Sequence, residues 1–470
     1  MLNGHYDVGR RFQRGNVAAA AWVVVCCGCG NGLIDGAGSD TTGGNQPASS
    51  GPSGVGTSGV GTTGVGGSAS SGSSGGQSTG APTTTGSGGA GSGTSGTGGA
   101  GGSGGPGDGS IFRHPGVLVN KEQLEFIKSK VSAGAQPWKG AYDRVRNSHY
   151  ASLSYQPKPR ATVECGSYSM PDNGCTEESE DSVAAYTQAL LWYFTGNAAY
   201  ATKSIQIMNA WSAVLKEHTD TNAPLQSAWT AAVLPRAAEI IRYTQSGWAA
   251  ADVDRYAAML RTIYLPQVVN GSRNNGNWEL SMIEATIGIA VFLEDRAAFD
   301  QALSLWRARV PAYIYMTSDG PAPVEPPGGK SDMLSFWYGQ TMYVDGLGQE
   351  TCRDLWHLQM GFSSMINAAE TARIQGVDLY SEESKRLVAG FEFNGQYLDG
   401  VPVPSWLCGG TVKLETAPTW EIGYNEFANR LGLSLPHTKN IIARIRPTDS
   451  SRQMSWETLT HAEVGAIGIP

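Results

Sequence analysis

The N-terminal part of the sequence has almost no large apolar side chains. From about Gly36 to Gly109 nearly every residue is Gly, Ser or Thr, so too little apolar surface is present to offset the entropy of ordering the chain. We therefore predict a disordered Gly/Ser/Thr-rich linker over residues 30–110. Residues 111–470 contain the Trp, Tyr, Leu and Ile that a core needs, and no second Gly/Ser-rich break divides them. They are predicted to form one domain.

The sequence also lacks a long apolar run and an excess of positive charge. The apolar run from Val17 to Val25 is too short to cross a bilayer, which takes ~20 residues. The net charge of −8 is the opposite of the basic surface that nucleic-acid binding requires, so no nucleic-acid partner is expected. A negatively charged partner would have to be held by a local group of positive side chains.

The first 29 residues have the pattern of a secretory signal peptide. Arginines at positions 10, 11 and 14 precede the apolar run, and cysteines at 26, 27 and 29 follow it. Such cysteines resemble a bacterial lipoprotein signal, with Cys29 as the lipidated residue, but two further cysteines so close to it depart from the usual motif. Plain secretion and a lipid anchor both remain open. The predicted location is secreted, or periplasmic or outer-membrane-associated as a lipoprotein.

Cysteine is scarce in residues 111–470, which contain Cys165, Cys175, Cys352 and Cys408. No C-x-x-C motif occurs there, so we expect no metal site, and no cofactor is predicted. Export permits disulfides, and four cysteines allow three pairings. The short, loop-rich segment between Cys165 and Cys175 favours a bridge between them. Cys352 would then pair with Cys408.

Strand-like alternation is weak, whereas apolar residues recur at helical spacing along the domain. This periodicity predicts helices over 181–194, around 205–215, from about 228, and over 251–264, 279–293, 297–309, 349–375 and 379–394. Successive helical hairpins of this length favour an all-α fold, an incomplete (α/α) toroid or barrel. A helical solenoid is the alternative, but the sequence has no fixed repeat period.

Three asparagines stand at the start of one predicted helix, at positions 274, 275 and 277. Asparagine is a good helix cap, but three amides exceed what capping needs. An amide that donates to a sugar carboxylate would acidify the neighbouring C–H group. Trp278 follows directly, and Glu284 lies seven residues after Asn277, so it projects on nearly the same face.

A second motif places ionisable side chains at i, i+3, i+4 and i+7, namely Glu350, Arg353, Asp354 and His357. On one helix they would share a face, and on an exposed helix they would be an ordinary row of salt bridges. The aromatic residues that precede them, Trp337, Tyr338 and Tyr343, are more typical of a cleft wall. An arginine beside a histidine suits an anionic substrate.

These stretches resemble the bacterial alginate-lyase superfamily, and specifically its secreted polysaccharide lyases. The similar motifs are N-G-N-W-E-L-S-M-I-E-A at 275–285 and D-G-L-x-Q-E-T-C-R-D-x-x-H at 345–357, and W-E-I-G-Y-N at 420–425 also looks familial. The resemblance covers roughly residue 111 to the C-terminus and implies an incomplete α/α toroid and elimination at uronates. Gly276 stands where better-known alginate lyases have a histidine, so His357 must take that role or the chemistry is rearranged.

We therefore predict a lyase that cleaves a 4-linked uronic-acid polysaccharide, alginate or glucuronan, by β-elimination. The predicted catalytic residues are His357, Tyr343, Arg353 and Asn277. His357 is the candidate base or carboxylate contact, and Tyr343 is the first choice for the acid, followed by Tyr424 and Tyr338. The predicted substrate-binding residues are Asn275, Trp278, Glu284, Glu350, Tyr338 and Tyr424.

Two other functions compete with this one. A glycoside hydrolase on the same barrel would use paired carboxylates, for which Glu284, Glu350 and Asp354 are available. A surface protein that binds polysaccharide without turnover would suit the long linker. The oligomeric state cannot be read from the sequence.

Overall fold

The computed structural model describes residues 110–244 and 247–468. The signal peptide predicted for residues 1–29 and almost all of the predicted linker lie outside these residues, and both stay predictions. Within the described residues, no helix is both long and apolar enough to cross a bilayer.

Helices account for most of the described chain. Their bounds are α1 Lys121–Ser132, α2 Trp138–Asn147, α3 Cys175–Thr195, α4 Ala198–Val214, α5 Ala223–Thr244, α6 Ala250–Met259, α7 Leu265–Val268, α8 Gly276–Leu293, α9 Arg296–Tyr313, α10 Met333–Phe336, α11 Leu355–Ile374, α12 Leu379–Leu398, α13 Glu421–Tyr424, α14 Pro436–Ile445 and α15 Glu457–His461. A π-helical turn, Leu260–Tyr264, joins α6 to α7, and another, Asn425–Arg430, follows α13.

The strands are short and lie at the edges of the helical layers. β1 (Thr162–Cys165) pairs antiparallel with β2 (Asp172–Asn173) and parallel with β3 (Glu217–Thr219). Near the C-terminus, β4 (Ser450–Ser451) and β5 (Met454–Ser455) pair antiparallel, with Ser450 opposite Ser455. We call residues 450–455 the C-terminal hairpin.

Two layers of helices form the domain. α3, α5, α8 and α11 pack on one another in that order and form the inner layer, while α4, α9 and α12 each pack against the inner helix that precedes them. The predicted all-α fold, an incomplete toroid of helical hairpins, is confirmed.

The sequence explains which helices lie inside. α8 is buried on every side over nearly its whole length, and it has no charged residue after Glu284. A helix that is apolar all round is stable only inside a protein. α9 is amphipathic instead: Phe299 and Trp306 are buried, whereas Arg296 and Arg307 are exposed.

Several predicted helix boundaries are off by a few residues, and one of these errors matters for the site. The helix predicted over 349–375 begins only at Leu355, because Asp354 is its N-cap and accepts a hydrogen bond from the His357 N–H group at 2.8 Å. Aspartate at this position satisfies a helix-end donor that would otherwise have no partner. Glu350 and Arg353 therefore lie in a turn before α11, and the four ionisable residues do not share one helical face.

Both predicted disulfides are present, Cys165–Cys175 and Cys352–Cys408. The first closes a loop of 10 residues at the start of α3. The second spans 56 residues and ties the turn before α11 to the segment that leads to α13. The segment that carries Glu350 and Arg353 is thus covalently held to a distant part of the chain.

Candidate active site

The two sequence motifs meet at the N-terminus of α8. The side-chain oxygen of Gln349 accepts from the Gly276 N–H group at 3.0 Å, and Glu350 Oε2 accepts from the Asn277 N–H group at 3.1 Å. Asn275, although it is the N-cap residue, makes no side-chain capping bond. Because the second motif caps the helix, the Asn275 side chain is not needed for capping. Asn277, which we predicted to be catalytic, is 1% exposed and its Nδ2 donates to both Asn275 Oδ1 and Glu350 Oε1, so it supports the site and has no proton left for a substrate.

Glu350 is the centre of a buried hydrogen-bond network. Its side chain is 0% exposed and accepts from Asn277 Nδ2 at 2.6 Å, from the Tyr313 hydroxyl at 3.0 Å and from Arg353 Nη1 at 2.8 Å. We predicted that Glu350 binds substrate, but its buried carboxylate is not accessible to a substrate. It fixes the positions of Asn277 and Arg353 instead.

Tyr313 explains why glycine occupies position 276. A Cβ atom at Gly276 would overlap the ring of Tyr313, and a Cβ atom at Gly361 on α11 would overlap its hydroxyl. The tyrosine ring is packed between the two glycines while its hydroxyl donates to Glu350. Burial, together with the Glu350 charge, raises the pKa of Tyr313 well above its usual value. No histidine could stand at position 276 beside this ring.

Tyr338 lies against the same network. The side chains of Asn275 and Arg353 are close enough to its phenol to lower its pKa, and its backbone has a positive φ of 52°. Burial raises the pKa of Tyr338 to about 12; the Glu350 charge adds to the increase, while Arg353 and Asn275 oppose it. At neutral pH the phenol is therefore protonated, and Asn275 and Arg353 would stabilise its anion.

His357 and Asp354 form a pair beside this cluster. His357 Nδ1 lies 2.7 Å from both carboxylate oxygens of Asp354, and the histidine side chain is 34% exposed. Burial would raise the pKa of Asp354, but the hydrogen bond and charge of His357 outweigh it and lower that pKa. With Nδ1 bonded to the carboxylate, Nε2 is the nitrogen that can exchange a proton with a substrate.

The other two tyrosine candidates have different neighbours. Tyr343 packs against the rings of Trp337 and Tyr315, with ring centroids 5.5 and 5.4 Å away. The pKa of Tyr424 is raised, by burial above all and then by carboxylates that include Glu421, whereas Arg446 opposes the increase. The cation near Tyr424 is thus not Arg353. Of the three, Tyr338 is the tyrosine whose pKa is affected by Asn275 and Arg353.

Glu284 also lies elsewhere, inside the barrel. It forms a buried ion pair with Arg236 and accepts from Asn367 Nδ2 at 3.0 Å. Burial raises the pKa of Glu284 to about 7, although Arg236 opposes this. We predicted a substrate contact here, and this buried pairing contradicts it: Glu284 joins α5, α8 and α11 in the interior.

An aromatic surface continues from the cluster. Trp278 and Trp356 are half-buried and pack around Trp229 and Met360, with Leu225, Ala417 and Met454 behind them. Trp278 follows Asn277 in sequence, and Trp356 precedes His357. We call Trp229, Trp278, Trp356 and Met360 the tryptophan patch. Sequence reasoning found Trp278 alone among these four residues.

A family model described as alginate lyase matches residues 149–403, more than half of the 470-residue chain. The chain belongs to the alginate lyase family. The resemblance carried by the sequence motifs is thereby confirmed, and the protein is a polysaccharide lyase. The matched segment includes Asn275, Tyr338, Arg353 and His357 and ends before Tyr424 and the C-terminal hairpin.

Solved structures of alginate lyases share the fold. Alginate lyase A1-III from Sphingomonas species A1 is 15% identical, with a TM-score of 0.53 over 75% of this chain and 97% of that chain. A tyrosine-to-phenylalanine variant of A1-III, complexed with a tetrasaccharide, is 16% identical, with a TM-score of 0.52 over 75% of this chain and 97% of that one. No curated protein matches the chain. At such low identity these structures establish the helical toroid and nothing finer.

The two disulfides of this alginate lyase family member should differ in their effect on turnover. We expect Cys352→Ser with Cys408→Ser to lower the free energy of unfolding by about 2–4 kcal/mol, the usual contribution of a disulfide, and also to reduce turnover, because the turn bearing Glu350 and Arg353 loses its anchor. Cys165→Ser with Cys175→Ser is the matched control, since it removes a disulfide at the start of α3. Thermal unfolding and initial rates on a cleaved polyuronate would compare the pairs. Equal turnover in both pairs would contradict the anchoring role.

Proposed function

We propose that this lyase cleaves a 4-linked uronic-acid polysaccharide, alginate or glucuronan, by β-elimination. The observation that carries the proposal is the phenol of Tyr338 close to Asn275 and Arg353, with the Asp354–His357 pair directly after Arg353 in the chain. Elimination at a uronate needs a cation and amides for the carboxylate, a base for the C5 proton and an acid for O4. All three are available here.

Arg353 and the Asn275 amide neutralise the C6 carboxylate in this proposal. Removal of the C5 proton sends negative charge into that carboxylate, and fixed donors stabilise the charge as it develops. Glu350 holds Arg353 Nη1 at 2.8 Å. It also holds Asn277 Nδ2 at 2.6 Å, and Asn277 Nδ2 in turn donates to Asn275 Oδ1 at 3.0 Å, so the donors of Arg353 and Asn275 are both fixed. These donors are therefore in place before the substrate binds, so little reorganisation is needed during the reaction.

His357 and Tyr338 divide the proton transfers. His357 Nε2 takes the proton from C5, the C–H electron pair forms the C4–C5 double bond, and the C4–O4 bond breaks. Tyr338 donates its proton to the departing O4. A phenol whose pKa is about 12 is fully protonated at neutral pH, which suits the acid, and Asp354 supports the imidazolium that forms.

A glycoside hydrolase would need two carboxylates that reach the substrate. Of the three that the sequence offers, Glu350 is saturated by donors and Glu284 is paired with Arg236 in the interior. Asp354 alone is left, and it is bonded to His357. These contacts favour elimination over hydrolysis.

The substrate class also draws support from a relative. Alginate lyase A1-III has been obtained in complex with a tetrasaccharide, and its fold is shared by this chain. In the present chain, the tryptophan patch beside Arg353 offers aromatic rings on which sugar C–H faces can stack. An anionic polysaccharide is therefore the proposed partner.

The test is a panel of polyuronates, alginate and glucuronan among them, incubated with the protein. We expect ultraviolet absorbance from a new C4–C5 double bond, and products whose masses sum to that of the substrate without added water. Saturated products that have gained one water per cleavage would overturn the proposal in favour of hydrolysis. Binding without any product would leave the elimination mechanism without support.

We also propose that the protein is exported, as a secreted enzyme or a lipoprotein. Two disulfides in the domain support an oxidising compartment, and residues 1–29 have the pattern of a signal peptide. Mass mapping of unreduced peptides from exported protein should find both bridges, and labelling with a lipid precursor would distinguish the two forms. Free thiols at Cys165 and Cys175 in exported material would contradict the compartment.

The linker should be dispensable for turnover. Because residues 36–109 have almost no apolar side chains, they have little with which to pack on the domain. A protein that starts at Ile111 should cleave the same substrate with an unchanged kcat. A large loss of kcat with the same unfolding temperature would show that the linker contributes to the site.

A further inference from the structure

One buried glutamine joins the segment that carries Asn275 to the segment that carries Tyr338. Gln349 Oε1 accepts from the N–H group of Gly276, the residue directly after Asn275, at 3.0 Å. Gln349 Nε2 donates to the backbone carbonyl of Phe336, two residues before Tyr338. A single side-chain amide therefore sets the spacing between the N-terminus of α8 and the end of α10.

Gln349 is itself held firmly. Its side chain is buried, with the residue 1% exposed, and its backbone N–H group donates to the Tyr313 carbonyl at 2.8 Å. Glu350, the next residue, accepts from the Asn277 N–H group at 3.1 Å. Because the amide is buried, bulk water cannot replace a partner that is lost, and each of its two contacts is costly to break.

Tyr338 needs such support from its surroundings. Its φ of 52° lies in the left-handed region, which is unfavourable for a residue with a Cβ atom and persists only where neighbouring contacts hold it. On the C-terminal side, Gln340 Oε1 accepts from the Cys408 N–H group at 3.0 Å. On the N-terminal side, Gln349 holds the Phe336 carbonyl. The segment 336–340 is thus held at both ends.

The position of the Tyr338 phenol decides whether it can act as the acid. A general acid must come within hydrogen-bond reach of the atom that it protonates. In a 4-linked uronate, O4 is bonded to the carbon next to C5, so the C6 carboxylate and O4 are a limited distance apart. Asn275 is assigned to the carboxylate and Tyr338 to O4, so the spacing of the two side chains must match the sugar. A misplacement of about 1 Å can cost ~10²-fold in rate.

We propose that Gln349 is the positioning residue of Tyr338, and that it holds the phenol at the distance from Asn275 that separates O4 from the C6 carboxylate of one uronate. The proposal rests on the proposed function and deepens it. Gln349 contacts neither the substrate nor the reacting atoms in this arrangement. It should therefore affect the rate of the chemical step and leave the affinity for the substrate nearly unchanged.

The experiment compares Gln349→Glu with wild type on the polyuronate that is cleaved fastest, at each pH where wild type turns over. The introduced carboxyl group has nearly the shape of the amide. When protonated it can donate to the Phe336 carbonyl and accept from Gly276, whereas the ionised form has no proton and repels that carbonyl. Burial beside Glu350 favours the protonated form and shifts its titration upward.

We expect kcat of Gln349→Glu, divided by that of wild type, to be near one at the acid end and to fall about tenfold or more as the pH rises. KM should stay within about twofold of wild type. Taking the ratio at each pH removes the titration of His357, which both proteins share. Gln349→Met, which breaks both contacts without adding a charge, should lower kcat at every pH at a similar KM. This second variant provides the test if Gln349→Glu does not fold, and a wild-type kcat in Gln349→Met would overturn the positioning role.

Gln123→Glu is the matched control. Gln123 is also 1% exposed, and its Nε2 donates to a backbone carbonyl, that of Thr460, at 2.7 Å between α1 and α15. It should lose stability as the pH rises, as measured by its unfolding temperature, while its kcat relative to wild type does not change. If both glutamate variants give the same kcat ratio at every pH while wild type forms unsaturated products, the positioning role is overturned and the proposed function stands. If wild type forms no unsaturated product from any polyuronate, both proposals are overturned.

Discussion

Replacing Tyr338 by phenylalanine should abolish nearly all turnover while the protein still folds and binds substrate. The change removes the phenolic proton that we assign to the departing O4 and leaves the ring. General acid catalysis contributes about 10²–10⁴-fold, so kcat should fall by at least that range. KM should change much less, since Arg353 and the Asn275 amide still hold the carboxylate. Initial rates by ultraviolet absorbance and binding by calorimetry would measure the two effects.

Tyr343→Phe is the control for this result. Tyr343 was the first choice from the sequence, yet its ring packs against Trp337 and Tyr315. Its hydroxyl should therefore be dispensable, with kcat near that of wild type. The reverse outcome would be an active Tyr338→Phe and an inactive Tyr343→Phe. It would show that Tyr343 is the acid and that proximity to Asn275 and Arg353 does not identify it.

The sequence predicted the helical toroid because helical periodicity is a local property. α8 is apolar nearly all round and α9 is amphipathic, and both patterns can be read without the structure. The start of α11 could not be read in the same way. Asp354 fits the helical spacing of the second motif, but it is also a strong N-cap, and capping decided the boundary.

The site residues were predicted in part because two motifs carried most of them. Asn275, Arg353 and His357 do lie near one another, but the reason is a contact between distant segments: Gln349 and Glu350 cap α8. No sequence spacing predicts such a cap. The same contact buries Glu350, which holds other site residues in place. From its charge alone we had predicted that it binds the substrate.

Glycine at position 276 is the clearest example of a residue whose role the sequence alone could not explain. It looked like the loss of a family histidine. In the structure the ring of Tyr313 fills the space that a side chain at this position would need. Tyr313 comes from the end of α9, and its hydroxyl donates to Glu350. Nothing near Tyr313 in the sequence marks it as a functional residue.

Removing the imidazole of His357 should be as damaging as removing the phenol of Tyr338. If Nε2 takes the C5 proton, His357→Ala should lower kcat by about 10²–10⁴-fold, while thermal stability changes little, because the side chain is 34% exposed. A pair that served only as a surface salt bridge would cost at most about 1 kcal/mol of stability and no activity. Normal turnover in His357→Ala would therefore exclude it as the base.

Asp354→Asn separates orientation of the base from capping of α11. Asparagine caps helices about as well as aspartate, so the bond from the His357 N–H group survives and the unfolding temperature should stay near that of wild type. The carboxylate that holds Nδ1 at 2.7 Å is lost, and with it the support for the imidazolium. We expect kcat to fall substantially at unchanged KM. If Asp354→Asn turns over normally while Asp354→Ala loses stability, Asp354 acts only as a helix cap and His357 needs no partner.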